Sequence, residues 1–204
     1  FPEKVTQTKK IILRKRYWLY YALQFMSGAR RQIFVVFAGF LMVEKFEFTV
    51  AEISMLLIAN AAINVVFAPK IGRLIQRFGE RKSLIFEYIG LSLIFAGYAF
   101  VESSEFAVFL YIADHLFFSI AIALKTYFQK IADPADIASS SGVSFTINHI
   151  AAVFIPVVFG LVWLYSPSMV FLAGSAMAIV SLILALNMPS KPALGNEVLI
   201  GKFS

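Results

Sequence analysis

The chain has 204 residues, of which 60% are hydrophobic and 15% charged, with a formal charge of +6. A mean hydropathy of +0.80 excludes an ordinary soluble domain. The absence of cysteine excludes a disulfide framework and a thiolate metal site.

In a membrane, a chain of this length divides into about six crossings, each needing about 20 residues and a loop. Residues 1–16 form a basic lead-in with Lys4, Lys9, Lys10, Arg14, Lys15 and Arg16. The apolar run behind it is too long for a signal-peptide core and lacks a small-residue cleavage site, so the lead-in reads as cytoplasmic. A chain that starts at Phe is expected to be a fragment or one part of a longer chain.

Six apolar stretches follow: Tyr17 to Val43, Val50 to Ile71, Ser83 to Val101, Phe106 to Phe128, Ser141 to Tyr165, and Ser168 to Met188. Short polar or turn-forming segments separate them, namely Glu44 to Thr49, Gly72 to Lys82, Glu102 to Glu105, Gln129 to Ser140 with Asp133-Pro134, and Ser166-Pro167. The expectation is an all-α integral membrane bundle over 17–188, followed by a cytoplasmic tail over 189–204. With the N-terminus inside, fifteen of the eighteen Lys and Arg fall on the cytoplasmic side and Lys45 alone on the outer side. Both termini are therefore expected in the cytoplasm, in a bacterial inner membrane. This sidedness accounts for the positive charge without a nucleic-acid partner. Tyr17, Trp18, Tyr20 and Tyr21 at one boundary, and Trp163 and Tyr165 at the other, suit an aromatic belt.

Arg30 and Arg31 lie in the middle of the first stretch, where one arginine costs roughly 2.5 to 3.5 kcal/mol on insertion scales. Polar residues at depth are unevenly spread. Span 1 has Arg30, Arg31 and Gln32, span 2 has Asn60 and Asn64, span 4 has Asp114 and His115, and span 5 has Asn148 and His149. Spans 3 and 6 are nearly bare and read as peripheral, with Glu87 about one turn from a cytoplasmic end. At about 1.5 Å per residue, Arg30, Asn60, Asp114 and His149 converge near the midplane. The order polar, polar, bare, repeated twice, suggests two three-helix repeats, inverted because each has an odd number of crossings.

The segment Gly72-Arg73-Leu74-Ile75-Gln76-Arg77-Phe78-Gly79-Glu80-Arg81-Lys82 resembles the G-x-L-a-D-r-x-G-r-k signature of major facilitator superfamily transporters, with Gln76 at its acidic position. Gly72 would let a helix end pack closely and Gly79 would supply a tight turn. Lys130 to Asp136, Pro156 and Gly160 are similar to the inner loop before helix 11 of that family and to that helix. The resemblance implies half of a twelve-helix fold, with helices 1, 2, 4 and 5 lining a cavity and 3 and 6 outside. Because the basic lead-in looks like the family's central loop, it implies the C-terminal half, with a second six-helix half as partner.

Arg30 and Arg31 could recognise an anionic solute or pair with a carboxylate, or lie at a kinked, hydrated helix end after Gly28. Neighbours on a helix differ by about 100°, so one is expected to face the cavity. Asp114 and His115 could carry a coupling proton, or Asp114 could form a structural pair with an arginine. Asn60, Asn64, Asn148 and His149 divide between solute contact and helix adhesion. Gly72, Arg73, Arg77, Gly79, Arg81 and Lys82, with Glu87 and Lys125 as partners, would form a cytoplasmic gate. The expected function is alternating-access transport of a small organic anion, with no cofactor beyond a coupling proton or ion. The alternatives are proton-coupled efflux of amphipathic compounds and a non-transporting module with this fold. No catalytic motif points to an enzyme.

Overall fold

The computed structural model describes residues 13–202, so most of the basic lead-in, including Lys4, Lys9 and Lys10, lies outside it. Six apolar helices are long enough to cross a membrane: α1 (Lys15–Phe46), α2 (Val50–Phe78), α3 (Glu80–Ala99), α4 (Ser104–Ile131), α5 (Pro134–Trp163) and α6 (Pro167–Leu186). Their length and apolar composition are those of membrane-spanning helices.

The helix ends follow from local chemistry. Thr49 and Glu52 form a capping box at the start of α2, with the Thr49 N–H donating to Glu52 Oε2 at 2.8 Å. The Ser103 hydroxyl accepts from the Phe106 N–H at 3.3 Å at the start of α4. Pro167 opens α6 at a position where a missing N–H is harmless. Pro69 and Pro156 lie inside α2 and α5, as membrane helices tolerate.

The expected loop from Gly72 to Lys82 is almost entirely helical: α2 continues through Phe78, Gly79 alone separates it from α3, and α3 begins at Glu80. Hydropathy falls after Ile71 because the helix leaves the apolar layer, whereas Arg73, Leu74, Gln76 and Arg77 are all good helix formers. Gly79 has φ +82°, a conformation that favours glycine and makes the sharp break possible. Gly72 does not fill the close-packing role expected of it, since a Cβ there would meet open space. The other long loop shrinks similarly, because α4 runs to Ile131 and a 3₁₀ turn at Pro134–Asp136 leads into α5.

Helices α3 and α6 pack along one another, α1 lies on α5 and α6, and α4 lies on α2 and α3. Exchanging α1, α2, α3 for α4, α5, α6 maps the α3–α6 contact onto itself and the α1 contacts onto those of α4, which is the pattern of two inverted three-helix repeats. The bare spans α3 and α6 thus form a spine, and close approach depends on small residues. A Cβ at Gly174 would lie 2.9 Å from the Phe95 ring, and one at Gly90 would overlap the Phe117 ring. By contrast, only 6% and 11% of the most apolar stretches of α2 and α5 are buried, against 50% for α1 and α3.

The end of the bundle that carries both described termini is tied by polar contacts. Arg14 donates to both Asp136 oxygens at 3.1 Å, and Lys130 pairs with Glu80 at 2.6 Å. After α6 the chain folds back as a strap: the Asn187 side chain bonds the N–H and carbonyl of Ile200, the Tyr127 hydroxyl donates to the Glu197 carbonyl at 2.6 Å, and the Trp18 indole N–H donates to the Gly201 carbonyl at 2.9 Å. Arg16 pairs with Glu197 at 2.5 Å. Burial alone would raise the Glu197 carboxyl, but the Gly195 N–H and the Arg16 guanidinium favour its ionised form and hold it below the usual carboxylate range.

Two outcomes follow from this packing. Gly90→Ala forces the Phe117 ring to move and is expected to destabilise the bundle by about 1–3 kcal/mol, read as a shift in thermal or denaturant unfolding. Because Glu197 has a folded-state pKa below its unfolded value of about 4.3, its contribution is present above that pH and is lost as pH falls through the folded value. Trp18 fluorescence should therefore change as the strap loosens on acidification below about pH 4, and Glu197→Gln should remove that transition.

Candidate functional site

The two consecutive arginines of α1 go to opposite environments. Arg30 is fully buried and points between α3 and α6. Its Nη1 donates to the Met177 carbonyl at 3.4 Å and to the Ser181 hydroxyl, and its guanidinium lies 4.7 Å from the centre of the Tyr88 ring. Glu87 of α3 and Asp114 of α4, both fully buried, lie within its electrostatic range. Arg31 is exposed and faces the other way, into a cleft between α1, α4 and α5.

That cleft has a volume of about 590 Å³ and is lined by Gln24, Ser27, Gly28, Arg31, Gln32, Lys125, Asn148 and His149, with Val35, Phe118 and Ile122 among its apolar walls. Through Arg31, Val35 and Phe118 it adjoins a recess of about 210 Å³ bounded by Asn64, His115 and Ser119. The Ser119 hydroxyl oxygen lies 3.0 Å from Asn64 Oδ1 and 3.0 Å from the His115 carbonyl, holding α2 against α4. The His149 ring lies tilted against that of Phe145 with its Nδ1 2.9 Å from the Phe145 carbonyl; a carbonyl can only accept, so Nδ1 donates and Nε2 is left for a ligand.

Local sequence explains this layout. Gly28 lets α5 approach α1, since a Cβ there would lie 2.6 Å from Asn148 Oδ1. Helix α1 does not end after Gly28. It stays α-helical through Gln32 and then forms a π-helical stretch over Ile33–Ala38, directly beyond the arginines.

Of the sequence-derived candidates, Arg31, Gln32, Asn64, His115, Asn148 and His149 come together on the cleft and its recess. Arg30 and Asp114 lie instead in the core. Asn60 is buried one turn from Asn64, with neither side-chain polar atom partnered among the described residues. Glu87 and Lys125 do not meet the basic segment: Glu87 joins Arg30, and Lys125 lines the cleft. The ion pair at that segment is Glu80 with Lys130. Arg73, Arg77 and Lys82 are exposed, whereas Arg81 reaches the end of α6, donating to the Leu186 carbonyl at 2.9 Å and the Ser190 hydroxyl at 3.3 Å. Sequence reasoning passed over Gln24 and Ser27, although both lie on the Arg31 face at helical spacing, seven and four residues back.

The lining of the cleft and its recess contains two cations, Arg31 and Lys125, two histidines and several amides. Among the described residues it contains no Asp or Glu. Such a surface can hold an anion through charge and directed N–H donors while its apolar walls accept a hydrocarbon part.

A family model described as Major Facilitator Superfamily matches residues 20–200. Among curated proteins, an uncharacterized MFS-type transporter of Methanocaldococcus jannaschii is 27% identical over 125 residues, covering 59% of this chain and 30% of that protein. No solved structure matches the chain.

Because the chain has no cysteine, single cysteines report accessibility cleanly. Ser27→Cys and Gln32→Cys are expected to react with a charged, membrane-impermeant thiol reagent. Ser175→Cys and Ser181→Cys, buried in α6, are expected to stay unmodified in the folded protein, as read by intact-mass spectrometry.

Proposed function

Because the chain belongs to the major facilitator superfamily, we propose that it is one six-helix half, the C-terminal one, of a secondary transporter that moves a small organic anion by alternating access. The observation that carries this reading is the charge of the cleft: Arg31 and Lys125 line it and no described carboxylate does. In this reading Arg31 binds the carboxylate or phosphate of the solute, Lys125 adds a second positive charge, and Gln24, Gln32 and Asn148 orient it. Phe118 and Ile122 accept the apolar remainder. A transporter, not an enzyme, follows from the same reading.

The second six-helix half, expected earlier in a longer chain, closes the cleft against the open faces of α2 and α5. The two halves then rock about the bound solute, with both termini in the cytoplasm. His115 carries the coupling proton. It bounds the recess within electrostatic range of Arg31, and an imidazole exchanges its proton near neutral pH. Arg81, reaching from α3 to the end of α6, belongs to the cytoplasmic gate with Arg73, Arg77 and Lys82 around the Gly79 break.

The test is uptake of radiolabelled organic anions by the full-length protein in proteoliposomes. Arg31→Gln removes a charge-assisted contact and is expected to weaken solute affinity about tenfold or more, equivalent to roughly 1.4 kcal/mol or above. Arg31→Lys keeps the charge without the planar fork and should fall between. Unchanged anion uptake in Arg31→Gln, or transport of cations only, would overturn the anion reading; movement of no solute at all would favour the non-transporting module.

A further inference from the structure

The recess beside Arg31 narrows the class of solute, an inference that rests on the anion reading of the cleft. We propose that this recess is a second subsite, in which Asn64 and His115 bind a hydroxyl group carried next to the solute's acid group.

The recess is built where two helices depart from regular α geometry. Phe34 and Val35 on one wall belong to the π-helical stretch of α1, and Ser119 on another opens a 3₁₀ turn, Ser119–Ala121, inside α4. Arg31, Val35 and Phe118 line both the recess and the cleft, so one solute held by Arg31 reaches into each. At about 210 Å³ against about 590 Å³, the recess takes the smaller part of that solute.

Hydrogen-bond accounting gives the polarity of the recess. The Ser119 hydroxyl oxygen lies 3.0 Å from the His115 carbonyl oxygen and 3.0 Å from Asn64 Oδ1. A hydroxyl carries one hydrogen, so two acceptors leave one of these contacts without any. The two ends of an asparagine amide are alike in shape, and turning it gives both contacts a hydrogen. Nδ2 then donates to the serine oxygen, the serine donates to the His115 carbonyl, and Oδ1 becomes the free end of the amide. That end has no partner among the described residues, and Asn64 lines the recess.

The solute group that fits must therefore donate to Asn64. It must also be uncharged, since the recess lining includes no Asp or Glu among the described residues and Arg31 repels an ammonium group. A second acid group would bring a carboxylate against the amide oxygen. A hydroxyl meets both conditions: its hydrogen goes to Asn64 Oδ1, and its oxygen accepts from His115, whose imidazole has a ring N–H in either protonation state. The His115 ring lies beside Phe34, with centroids 6.4 Å apart. Once the solute excludes water from the recess, an analogue without the hydroxyl leaves the amide oxygen unpaired. Such an unpaired group is what makes a hydrogen-bonding subsite selective.

Matched pairs of acids test the subsite through their stabilisation of the full-length protein against thermal unfolding, read over a range of concentrations. The pairs are lactate with propionate, malate with succinate, and phenyllactate with phenylpropionate. In at least one pair the hydroxy acid is expected to bind about tenfold more tightly than its deoxy partner. Asn64→Leu should bring that ratio close to unity, and Ser119→Ala, which releases the Asn64 amide, should lower it. Arg31→Gln should weaken both members of the pair. Equal binding within every pair, weakened by Arg31→Gln, would overturn the hydroxyl subsite and leave the anion reading standing; a preference that survives Asn64→Leu would overturn the subsite as well. Binding of no acid, or binding indifferent to Arg31→Gln, would overturn the anion reading and this inference with it. The comparison within pairs requires no variant to fold.

Discussion

A fully buried guanidinium is the constraint that the rest of this bundle satisfies. In lipid, a polar group without an internal partner costs several kcal/mol, so the helices around Arg30 must supply an acceptor, an aromatic face and counter-charge at once. Helix α6 gives the Ser181 hydroxyl and the Met177 carbonyl, and α3 gives the Tyr88 ring together with Glu87. Helix α4 gives Asp114. With the contacts to Met177, Ser181 and the Tyr88 ring made, the rotation of α1 about its axis is fixed. The next residue, about 100° further round, then has to face away from the core, which puts Arg31 in the cleft. The core arginine thus positions the cleft arginine, and a single helix serves both.

The remaining cohesion suits a membrane setting. Apolar side chains gain little by leaving lipid for one another, so helix association rests on close packing and polar contacts. Gly90 against Phe117, Gly174 against Phe95 and Gly28 against Asn148 each let two helices approach at a point where a Cβ would intrude. At the water-facing end, Arg14 with Asp136, Lys130 with Glu80 and Arg16 with Glu197 join segments distant in sequence. Exposed ion pairs are individually weak, but these lie among buried aromatic residues, with Tyr17 and Tyr127 bonded to the same segments. The outcome is a firm terminal end, a packed α3–α6 spine, and a cleft flanked by two lightly buried helices.

Six crossings were legible in the sequence because a run of about 20 apolar residues has few other uses. Their ends were less so: hydropathy measures contact with lipid and not helicity, so the helical stretch from Arg73 to Phe78 read as loop. The arginine pair stood out as an energetic anomaly, but the choice between Arg30 and Arg31 rests on contacts from α3 and α6 that no local pattern encodes. Glu87 shows the same difficulty. Near a helix end and with basic residues in the next loop, it looked like a gate partner, yet the α3–α6 packing turns it inward to Arg30 while Glu80 takes the ion pair. The strap after α6 was invisible for another reason. Its hold depends on Trp18, Tyr127 and Asn187 meeting backbone groups of residues 197–201, and backbone acceptors carry no sequence signal.

The two lightly buried helices bear on how such a half would move. Val65, Val66 and Phe67 on α2 and Val153, Phe154 and Val157 on α5 are exposed in the described chain. For a soluble domain, uncovering such faces would carry a large hydrophobic penalty at every movement. Within a bilayer the surrounding acyl chains are as apolar as a facing helix, so exchanging one for the other changes the free energy little. Charge behaves in the opposite way, because moving Arg30 or its carboxylates into lipid would be prohibitive. The energetically stiff parts are therefore the core cluster and the α3–α6 spine, and the soft parts are the outer faces of α2 and α5. A six-helix unit with that division can shift against a partner as a rigid body, keeping its buried charges fixed while the walls of the Arg31 cleft change neighbours.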